Sequence, residues 1–399
     1  MIAYTTYVND GRVKRHARTL AERGDHVDVL CLRNSQEGER EGVNVIGLKL
    51  PRYRGDKQTS YVRSYLRFFV VASAVALRLA LKQKYDVVIV CTMPDAAVLC
   101  AIPLKLMGSK VVLDMHDTMP ELYREKFRGK RGALGARLLQ LEELASTWLA
   151  HRVLAVHELH RARLEDAGVK ADKIAVVLNV PDLKIFGAAA NNGHNPSGQF
   201  TVVCHGTIAE RLGLDVAIGA MTILRDRRLA VRLWVVGAGD YLNHCKVLAA
   251  KLDLQEMVQF LPPVPLEELP EVLRHASLGL IPNRASSATH LMLPVKLLEY
   301  VTIGIPVVAA RLRTIQHYFD DSALRFFEPG DPADLAAAIE DLYLHPAYRK
   351  SLAENARRTV NRIDWPHQRD HYFEAIDSLL RRDHRARMSE LSNEPSRPD

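Results

Sequence analysis

The chain has 399 residues, 48% of them hydrophobic and 25% charged, which excludes a disordered or collagen-like protein and allows two or three domains. The net charge of +7 is spread along the chain, so charge alone leaves nucleic acid, anionic lipid and phosphorylated small molecules open as ligands. The five cysteines are scattered and include no Cys-x-x-Cys pair, which is typical of buried thiols in a reducing compartment.

The start of the chain lacks the basic and apolar regions of a secretory signal. The longest apolar stretch, residues 68–81, is shorter than the roughly 20 residues that span a bilayer. We therefore expect a cytoplasmic protein without a transmembrane helix.

Apolar, strand-like runs alternate with longer amphipathic segments almost from end to end. In the first half of the chain these runs are HVDVLCL, NVIGLKL, YDVVIVC, KVVLDM and RVLAV. In the second half they are FTVVCH, VRLWVVG, MVQFL, SLGLIP, IPVVAA and ALRFFE. The alternation is typical of βαβ units, so it predicts an α/β protein with two doubly wound, Rossmann-like domains.

A stretch rich in Gly, Asn, Pro and Ala, residues 186–200, separates the two sets of strands and is predicted to be a linker. The N-terminal domain is then expected over residues 1–185 and the C-terminal domain over 201–365. Ligands of doubly wound domains bind at the C-terminal ends of the strands, so we expect the site in a cleft between the two domains.

The end of the chain predicts one more helix. Asp364 is a plausible N-cap and Pro366 suits a first helical turn, so we expect a helix over 366–382 that packs back on the N-terminal domain. Residues 383–399 are polar and lack apolar periodicity, which predicts a disordered tail.

Three loops that follow predicted strands carry residues suited to ligand binding. DMHDTMPE places His116 and Asp117 just past a strand, although a histidine there is more often a structural hydrogen-bonding partner. In CHGTIAERLGL, Gly206 permits close approach of a phosphate before a helix start with free N–H groups. WVVGAGDY carries Gly237 and Gly239, a pattern of turns as well as of phosphate sites.

The segment LPVKLLEYVTIGIPVVAA is the most informative of the chain. Pro294 can begin a helix, Gly304 can end it, and Glu299 lies between them among apolar residues. A carboxylate in that place needs a partner or a position in a cleft. The alternative is a surface glutamate on an amphipathic helix.

As an ordered set, these segments resemble the retaining GT-B glycosyltransferases of family 4, the glycogen-synthase-like group 1 glycosyltransferases. P-x-K-L-x-E-Y followed by G-x-P-V-V resembles their nucleotide-sugar motif. GRVKRHARTLAERGDHVDVLCLR, VVLDMHDTMPELY, LWVVGAGDY and LPPVPLEELPEVLRHASLGLIP agree with the family in order and spacing. The resemblance covers roughly residues 1–380 and implies the GT-B architecture, in which two Rossmann-like domains face a central cleft.

The resemblance implies that the C-terminal domain binds a nucleotide sugar and that Glu299 holds the ribose hydroxyls, since a carboxylate can accept two hydrogen bonds. The family usually has a second Glu eight positions earlier, where this chain has Leu291. Contacts to the donor sugar would then be made by neighbouring residues such as Thr289 or by the backbone. The other donor-binding residues implied are Gly206, Thr207, Gly237, Gly239, Gln259, Phe260, His290, Met292 and Leu293.

The catalytic residues implied are Arg211 and Lys296, which would neutralise the leaving diphosphate, and His116, which would orient the sugar or acceptor. The alternative is that Arg211 is a solvent-facing loop residue and that Lys296 points to water from its helix. The loop departs from the family pattern, because Thr207 replaces the usual Arg after the glycine and Leu212-Gly213 replaces the usual Lys-Gly pair. The residues implied on the acceptor side are Asp10, Gly11, Arg12 and Asp117.

The resemblance implies transfer of a sugar, with retention of anomeric configuration, from a nucleoside diphosphate sugar to a glycan or lipid-linked acceptor in cell-surface polysaccharide or glycoconjugate biosynthesis. No cofactor besides the donor substrate and no metal is expected, because no Asp-x-Asp cluster follows a predicted strand. Two alternatives remain open: a nucleotide-sugar epimerase of the same architecture, and an inactive nucleotide-sugar-binding partner subunit. A dehydrogenase is disfavoured because no G-x-G-x-x-G follows the first strand.

Two basic segments of the N-terminal domain, PRYRGDKQTSYVRSYLRFFVV and REKFRGKRGALGARLLQL, combine arginines with apolar residues. They predict peripheral contact with an anionic membrane, at the inner face of the plasma membrane, or else ordinary amphipathic helices with solvated arginines. No nucleic-acid-binding pattern is present, so nucleic acid is not an expected partner.

Overall fold

The computed structural model describes residues 1–33, 38–51, 58–127, 129–187 and 198–392. The chain divides into two compact units. Unit 1 comprises Met1–Asn179 and Gln368–Asp399, and unit 2 comprises Val180–His367. The division falls at Asn179 rather than at residue 185, and most of the predicted linker lies outside the described residues.

Within the described residues, unit 1 contains one eight-stranded sheet. Its strands are β1 (Ile2–Thr6), β2 (Val27–Leu32), β3 (Gly38–Arg40), β4 (Val43–Leu48), β5 (Val87–Cys91), β6 (Lys110–Asp114), β7 (Arg152–Ala155) and β8 (Ile174–Val176). They lie in the order β3-β4-β2-β1-β5-β6-β7-β8, with every neighbouring pair parallel except β3 and β4. The sequence predicted β2, β4, β5, β6 and β7, and a first strand close to the start of the chain, where β1 lies, but not the three-residue strands β3 and β8.

The helices of unit 1 connect these parallel strands. They are α1 (Gly11–Glu22), α2 (Gln58–Ala80), α3 (Ile102–Leu106), α4 (Met119–Lys126), α5 (Lys130–Leu149) and α6 (Glu158–Asp166). A 3-10 turn, Asp95–Ala101, leads into α3 and packs against both α2 and α5. Asp10 begins α1, because its side chain accepts a hydrogen bond from the backbone N–H of Val13 (3.1 Å).

Unit 2 contains a second, fully parallel sheet, and the sequence predicted all six of its described strands. They are β9 (Phe200–Thr207), β10 (Val231–Ala238), β11 (Val258–Leu261), β12 (Leu278–Ile281), β13 (Val307–Ala310) and β14 (Arg325–Phe327), in the order β11-β10-β9-β12-β13-β14. The helices are α7 (Leu183–Phe186), α8 (Leu214–Asp226), α9 (Leu242–Lys251), α10 (Leu269–Leu273), α11 (Val295–Ile303), α12 (Arg313–Tyr318), α13 (Pro332–Leu344) and α14 (Pro346–Val360). The predicted α/β class with two doubly wound domains is confirmed.

The central strands of both sheets are covered on both faces. Every residue of β2, β12 and β13 is buried, as parallel strands with helices on both sides require. This burial explains why the strands are continuous apolar runs in the sequence. The sheets thereby hold the loops at their carboxyl ends on rigid supports.

The last helix, α15 (Trp365–Ser392), packs on unit 1. The ring of Tyr372 lies 4.4 Å from that of His16, and Gln368 accepts a hydrogen bond from the backbone N–H of Leu178 (2.9 Å). Because α15 continues to Ser392, the prediction of a disordered tail from residue 383 was wrong up to that point. Residues 393–399 lie outside the described residues.

Candidate functional site

Glycines bring the ends of β9 and β10 close together in unit 2. Gly206 has a φ of +97°, and a Cβ added there would meet no atom within 4 Å, so open space faces its backbone. Gly237 is its partner in the sheet register, and a Cβ on Gly237 would overlap the carbonyl of Gly206. A Cβ on Gly239 would overlap the carbonyl of Ile208. Two of the three predicted glycines are therefore needed for close backbone packing, and Gly206 presents an open backbone to a ligand.

The start of α8 lies beside the end of β12. Gly213 precedes α8 with a φ of +66°, and a Cβ there would overlap the carbonyl of Pro282. Just before it, Arg211 accepts a hydrogen bond at its carbonyl from the N–H of Arg284 (2.9 Å), and its buried Nε has no partner within the described residues. The sequence did not single out Arg284, which forms an ion pair with Asp215 in α8. Arg211 is thus half-buried rather than fully solvated.

Glu299 is buried, not on an open surface. Helix α11 follows Pro294 and ends at Gly304, which has a φ of +91°. Within it, Glu299 is only 8% exposed, and its Oε2 lies 2.7 Å from Nε2 of His205. The sequence analysis missed His205, although it directly precedes Gly206 in the loop already under consideration. The structure therefore joins the predicted ribose ligand to the predicted phosphate loop.

The side chain of Tyr300 contacts both β9 and β12 beyond the point where their register pairing ends. Register pairing between these strands ends at Val203 and Gly279, and the ring of Tyr300 covers Gly279 so closely that a side chain there would overlap it. The Tyr300 hydroxyl accepts from the N–H of His205 (3.1 Å) and lies 3.2 Å from the carbonyl oxygen of Val203, to which it can donate. It also lies 2.8 Å from Nδ1 of His205. Burial raises the pKa of Tyr300 well above its ordinary value, so the hydroxyl stays protonated.

Lys296 lies one helical turn before Glu299 on α11. Its Nζ is 3.8 Å from Sγ of Cys204, the residue before His205. The ammonium group is therefore held at the end of β9 and half-buried, rather than extended into water. Lys296 and Glu299 both reach the same strand end.

The loop before α11 is fixed by its own hydrogen bonds. Thr289 is fully buried and donates to the carbonyl of Arg284 (2.6 Å), so its hydroxyl is already used. His290 accepts at Nδ1 from the N–H of Arg313 (3.3 Å), and its carbonyl accepts from Thr314 (2.7 Å). Burial, together with Arg313, lowers the pKa of His290, so its ring is neutral near pH 7.

The remaining predicted donor residues differ in exposure. Four are half-buried: Phe260, Leu291, Met292 and Leu293. Two are exposed: Thr207 and Gln259. Leu291, in the place of the family's second acid, offers only its backbone to a polar ligand.

In unit 1, Asp114 at the end of β6 is the centre of a buried ionic cluster. Arg12 donates to it from Nε (3.1 Å to each oxygen) and Nη2 (2.6 Å), and from Nη1 to the carbonyl of Val177 (3.1 Å). Nδ1 of His16 and Nε2 of His116 each lie 3.3 Å from Oδ2 of Asp114. Burial alone would raise the pKa of Asp114, but Arg12 and His116 hold it well below its usual range.

This cluster corrects the expectation for Arg12. Arg12 is 3% exposed and its guanidinium is used by Asp114 and Val177, so it supports the sheet edge from inside rather than facing an acceptor. His116 is the member closest to solvent, with its side chain 15% exposed and its backbone N–H bonded to Thr92 (3.1 Å). Asp114 holds one ring nitrogen of His116, which leaves Nδ1 as the nitrogen that can meet a ligand.

The other residues expected on the acceptor side lie in the same part of unit 1. Asp10 caps α1 and Gly11 is the first residue of that helix. Asp117 is half-buried in the loop between β6 and α4. Asp10 and Gly11 follow β1 in the chain and Asp117 follows β6, and their acceptor-side role stays a prediction.

Only one group of metal-ligand atoms was found among the described residues, formed by Cys91, Asp114 and His116 with their ligand atoms within 4.8 Å of one another. The group does not fit a cation. Asp114 is already occupied by Arg12, whose positive charge would repel a metal ion. Burial also raises the pKa of the Cys91 thiol well above its usual value, which disfavours the thiolate that binds metal.

Two family models match this chain, one over each half. Residues 11–179 match the glycosyl transferase 4-like domain, and residues 189–359 match the glycosyl transferases group 1. The two models meet close to the division between the two units of the fold.

Curated relatives match part of the chain. The amylovoran biosynthesis glycosyltransferase AmsK of Erwinia amylovora is 26% identical over 189 residues, which are 47% of this chain and 46% of that protein. A D-inositol 3-phosphate glycosyltransferase of Geodermatophilus obscurus is 33% identical over 163 residues, 39% of this chain and 32% of the relative. The matched region thus spans less than half of either relative.

Solved structures match nearly the whole chain. Sucrose-phosphate synthase from Thermosynechococcus elongatus has a TM-score of 0.76 at 17% identity and covers 95% of this chain and 98% of its own. Anabaena HepE in complex with UDP and glucose has a TM-score of 0.72 at 17% identity, with 94% and 98% covered. At this identity the likeness establishes the fold, which is the GT-B architecture.

Proposed function

Since the chain belongs to the group 1 glycosyltransferases and has the GT-B fold, we propose that it transfers a sugar from a nucleoside diphosphate sugar to a glycan or lipid-linked acceptor with retention of anomeric configuration. The observation that carries this proposal is the convergence of an open Gly206 backbone and a buried Glu299 at one end of β9. The HepE complex with UDP-glucose supports a nucleotide sugar as donor.

Unit 2 supplies the groups that a nucleoside diphosphate needs. Glu299 would accept hydrogen bonds from the ribose hydroxyls, and the diphosphate would approach the backbone after Gly206. Arg211 and Lys296 would neutralise charge on the departing diphosphate, helped by the positive end of the α8 dipole. Two observations support these roles: the buried Nε of Arg211 has no partner within the described residues and can donate to a ligand, and the ammonium of Lys296 is held beside Cys204.

In unit 1, His116 would contact the transferred sugar or the acceptor. Its ring is oriented by Asp114, which fixes the proton on Nε2 and leaves Nδ1 as a hydrogen-bond acceptor when the ring is neutral. A preorganised imidazole of this kind can position a hydroxyl group. Asp10 and Asp117 are proposed to lie on the same acceptor side.

The relatives support a role in cell-surface polysaccharide or glycoconjugate biosynthesis. Two of them carry names from amylovoran and colanic acid biosynthesis. We propose that this chain serves a pathway of that chemical class, at the cytoplasmic side of the membrane.

A membrane-facing surface supports a lipid-linked acceptor. Helix α2 exposes a stripe of apolar residues with arginines beside it and has no acidic residue: Val62, Arg63, Leu66, Arg67, Val70, Leu77 and Arg78. Helix α5 exposes a second stripe: Leu134, Arg137, Leu138, Leu141 and Trp148. The 3-10 turn that packs against both helices adds the exposed Leu99. We call these residues the apolar-basic face.

The apolar-basic face is suited to lie on an anionic bilayer. Trp148 is 77% exposed, and a Trp with neighbouring arginines matches the interface between headgroups and acyl chains. The carboxylates of α5 do not oppose this contact, because Glu143 is buried and Glu142 half-buried. Among the described residues, no helix is long and apolar enough to cross a membrane.

The proposal is tested by a thermal-shift screen of the full chain against UDP, GDP, ADP and dTDP and their sugar conjugates. A ligand that binds only the folded state raises the melting temperature, so one nucleotide should give a clear shift. With that nucleotide sugar, release of the diphosphate that depends on added acceptor would identify a transferase. Conversion of the nucleotide sugar to its epimer without acceptor and without net release of diphosphate would favour the epimerase, and binding without any turnover would favour the inactive partner subunit.

A further inference from the structure

We propose that His205 is a positioning residue of the donor site, which orients Glu299 so that its second oxygen meets the ribose hydroxyls of a nucleoside diphosphate. The inference rests on the proposed function, because it explains how Glu299 is oriented in the proposed donor site. It adds a residue that neither the sequence motif nor the family resemblance had indicated.

Hydrogen-bond partners hold the His205 ring on two sides. Its side chain is 5% exposed and has partners at both nitrogens, Glu299 at Nε2 (2.7 Å) and the Tyr300 hydroxyl at Nδ1 (2.8 Å). These two partners are consecutive residues of α11. The ring therefore has little freedom to rotate, and it holds Oε2 of Glu299 at a fixed point.

The contact with Glu299 fixes the position of a proton on the His205 ring. Nε2 must carry a proton, because a bare nitrogen facing a carboxylate oxygen at 2.7 Å would be repelled. With that proton on Nε2, Nδ1 of the ring is left to accept from the Tyr300 hydroxyl. Glu299 therefore keeps its donor at Nε2.

One oxygen of the Glu299 carboxylate remains open to a ligand. Oε2 of Glu299 is used by His205, whereas Oε1 has no hydrogen-bond partner in the part of the chain that the structure describes. The Glu299 side chain is 11% exposed, so that oxygen is the accessible one. A carboxylate that is held at one oxygen and open at the other can accept two hydroxyl groups without first losing rotational entropy.

His205 is also next to the predicted phosphate loop in the chain. It directly precedes Gly206, whose backbone faces open space. The same short segment therefore orients the ribose ligand and approaches the diphosphate. The titratable groups in contact with the ring are Glu299 and Tyr300.

The test compares the affinities of the wild type for UDP and for 2′,3′-dideoxy-UDP, or the same pair with whichever base the screen selects. Calorimetric titration of the wild type should show a preference of about tenfold or more for the ribose form, the size expected for hydrogen bonds to a charged group. His205→Leu should reduce the preference to below about threefold. His205→Gln, whose amide N–H can replace Nε2–H, should keep most of it.

Loss of the preference is a readout that a purely structural role would not give, because lower stability weakens both nucleotides alike. Tyr300→Phe is the matched control, since it removes the second ring partner and leaves Glu299 its donor. If His205→Leu does not fold, His205→Asn replaces it, because its shorter amide cannot reach Glu299.

The possible outcomes distinguish a failure of the His205 positioning role from a failure of the proposed donor site. If the wild type discriminates and Glu299→Gln does not, but the Leu or Asn variant of His205 keeps the full preference, the positioning role is wrong and the donor site stands. If the wild type binds both nucleotides equally, Glu299 does not hold the ribose, and the proposed donor site fails together with this inference.

Discussion

Arg12 and Asp114 form a buried bidentate ion pair, with Nη2 of the guanidinium 2.6 Å from Oδ1 of the carboxylate. The pair joins the start of α1 to the end of β6, 102 residues apart in the sequence. Asp114 in turn holds the ring of His116. His116, which is proposed to contact the substrate, is thus oriented by the buried Arg12–Asp114 ion pair.

We predict that Asp114→Asn lowers the free energy of unfolding of unit 1 by about 3 kcal/mol, because it leaves the buried guanidinium of Arg12 without its counter-charge. Urea unfolding would measure the change. The double variant Arg12→Met/Asp114→Leu should lose less, since it removes both charges. A loss as large in the double variant as in the single one would contradict this explanation.

The stability contributed by His16 and His160 should fall on mild acidification, against an opposite contribution from Asp95 and Glu142, whose pKa values burial raises. Burial lowers the pKa of His16 and of His160 to about 3 in the folded state, well below the unfolded value near 6.5. Below pH 6.5 these two histidines then bind more protons in the unfolded chain than in the folded one, so their contribution to stability is lost as the pH falls. Each histidine contributes up to about 1.4 kcal/mol per pH unit.

Urea midpoints measured from about pH 7.5 down to about pH 5.5 would show this slope. His160→Met should reduce it, because one titrating group is removed. His371→Gln, at an exposed position of α15, is the matched control and should leave the slope unchanged. If the urea midpoints of the wild type and His160→Met have the same pH dependence, the lowered folded-state pKa of His160 is contradicted.

Gly237→Ala should weaken both the fold and nucleotide binding. The added Cβ would overlap the carbonyl of Gly206, at a φ of +151°, so the end of β10 must move away from the phosphate loop. We expect a loss of about 2 kcal/mol, typical of overpacking, with a weaker affinity for the nucleotide. Gly219→Ala is the control, because its Cβ would meet only Pro332 at 3.2 Å and gains helix propensity. Equal stability of the two variants would refute the close packing.

The apolar-basic face should bind anionic vesicles. Co-sedimentation with vesicles that contain phosphatidylglycerol should retain the wild type at low salt and release part of it at high salt, because salt screens the arginines. Leu66→Glu/Leu138→Glu should abolish binding. Val247→Glu, which changes an exposed apolar residue of α9 in unit 2, should not. A wild type that stays in the supernatant at low salt would disprove the membrane contact.

The sequence predicted the sheets well because their physics is local. Parallel strands buried on both faces require continuous apolar runs, and every such run that the sequence analysis identified is a strand in the structure. β3 was missed because its three residues are all exposed, and β8 because three residues carry too little pattern. The long helix α15 passed beyond its predicted end because polar residues without periodicity can still continue an established helix.

The candidate site was predicted in part, and the missing part consists of contacts between distant residues. Glu299 could be identified from its motif, but its partner His205 lies 94 residues away, and no periodicity links the two. The family resemblance implied that Arg12 lies on the acceptor side, whereas in the structure Arg12 is buried in an ion pair with Asp114. Local pattern indicates which residues carry the chemistry, and tertiary packing decides which of them meet.

The central claim is that Glu299 binds the ribose of a nucleoside diphosphate. The most direct measurement is calorimetric titration of wild type and Glu299→Ala with the nucleotide that the screen selects. We expect that the variant folds and loses at least about 1.5 kcal/mol of binding free energy, roughly tenfold in Kd. A folded variant with unchanged affinity would contradict it.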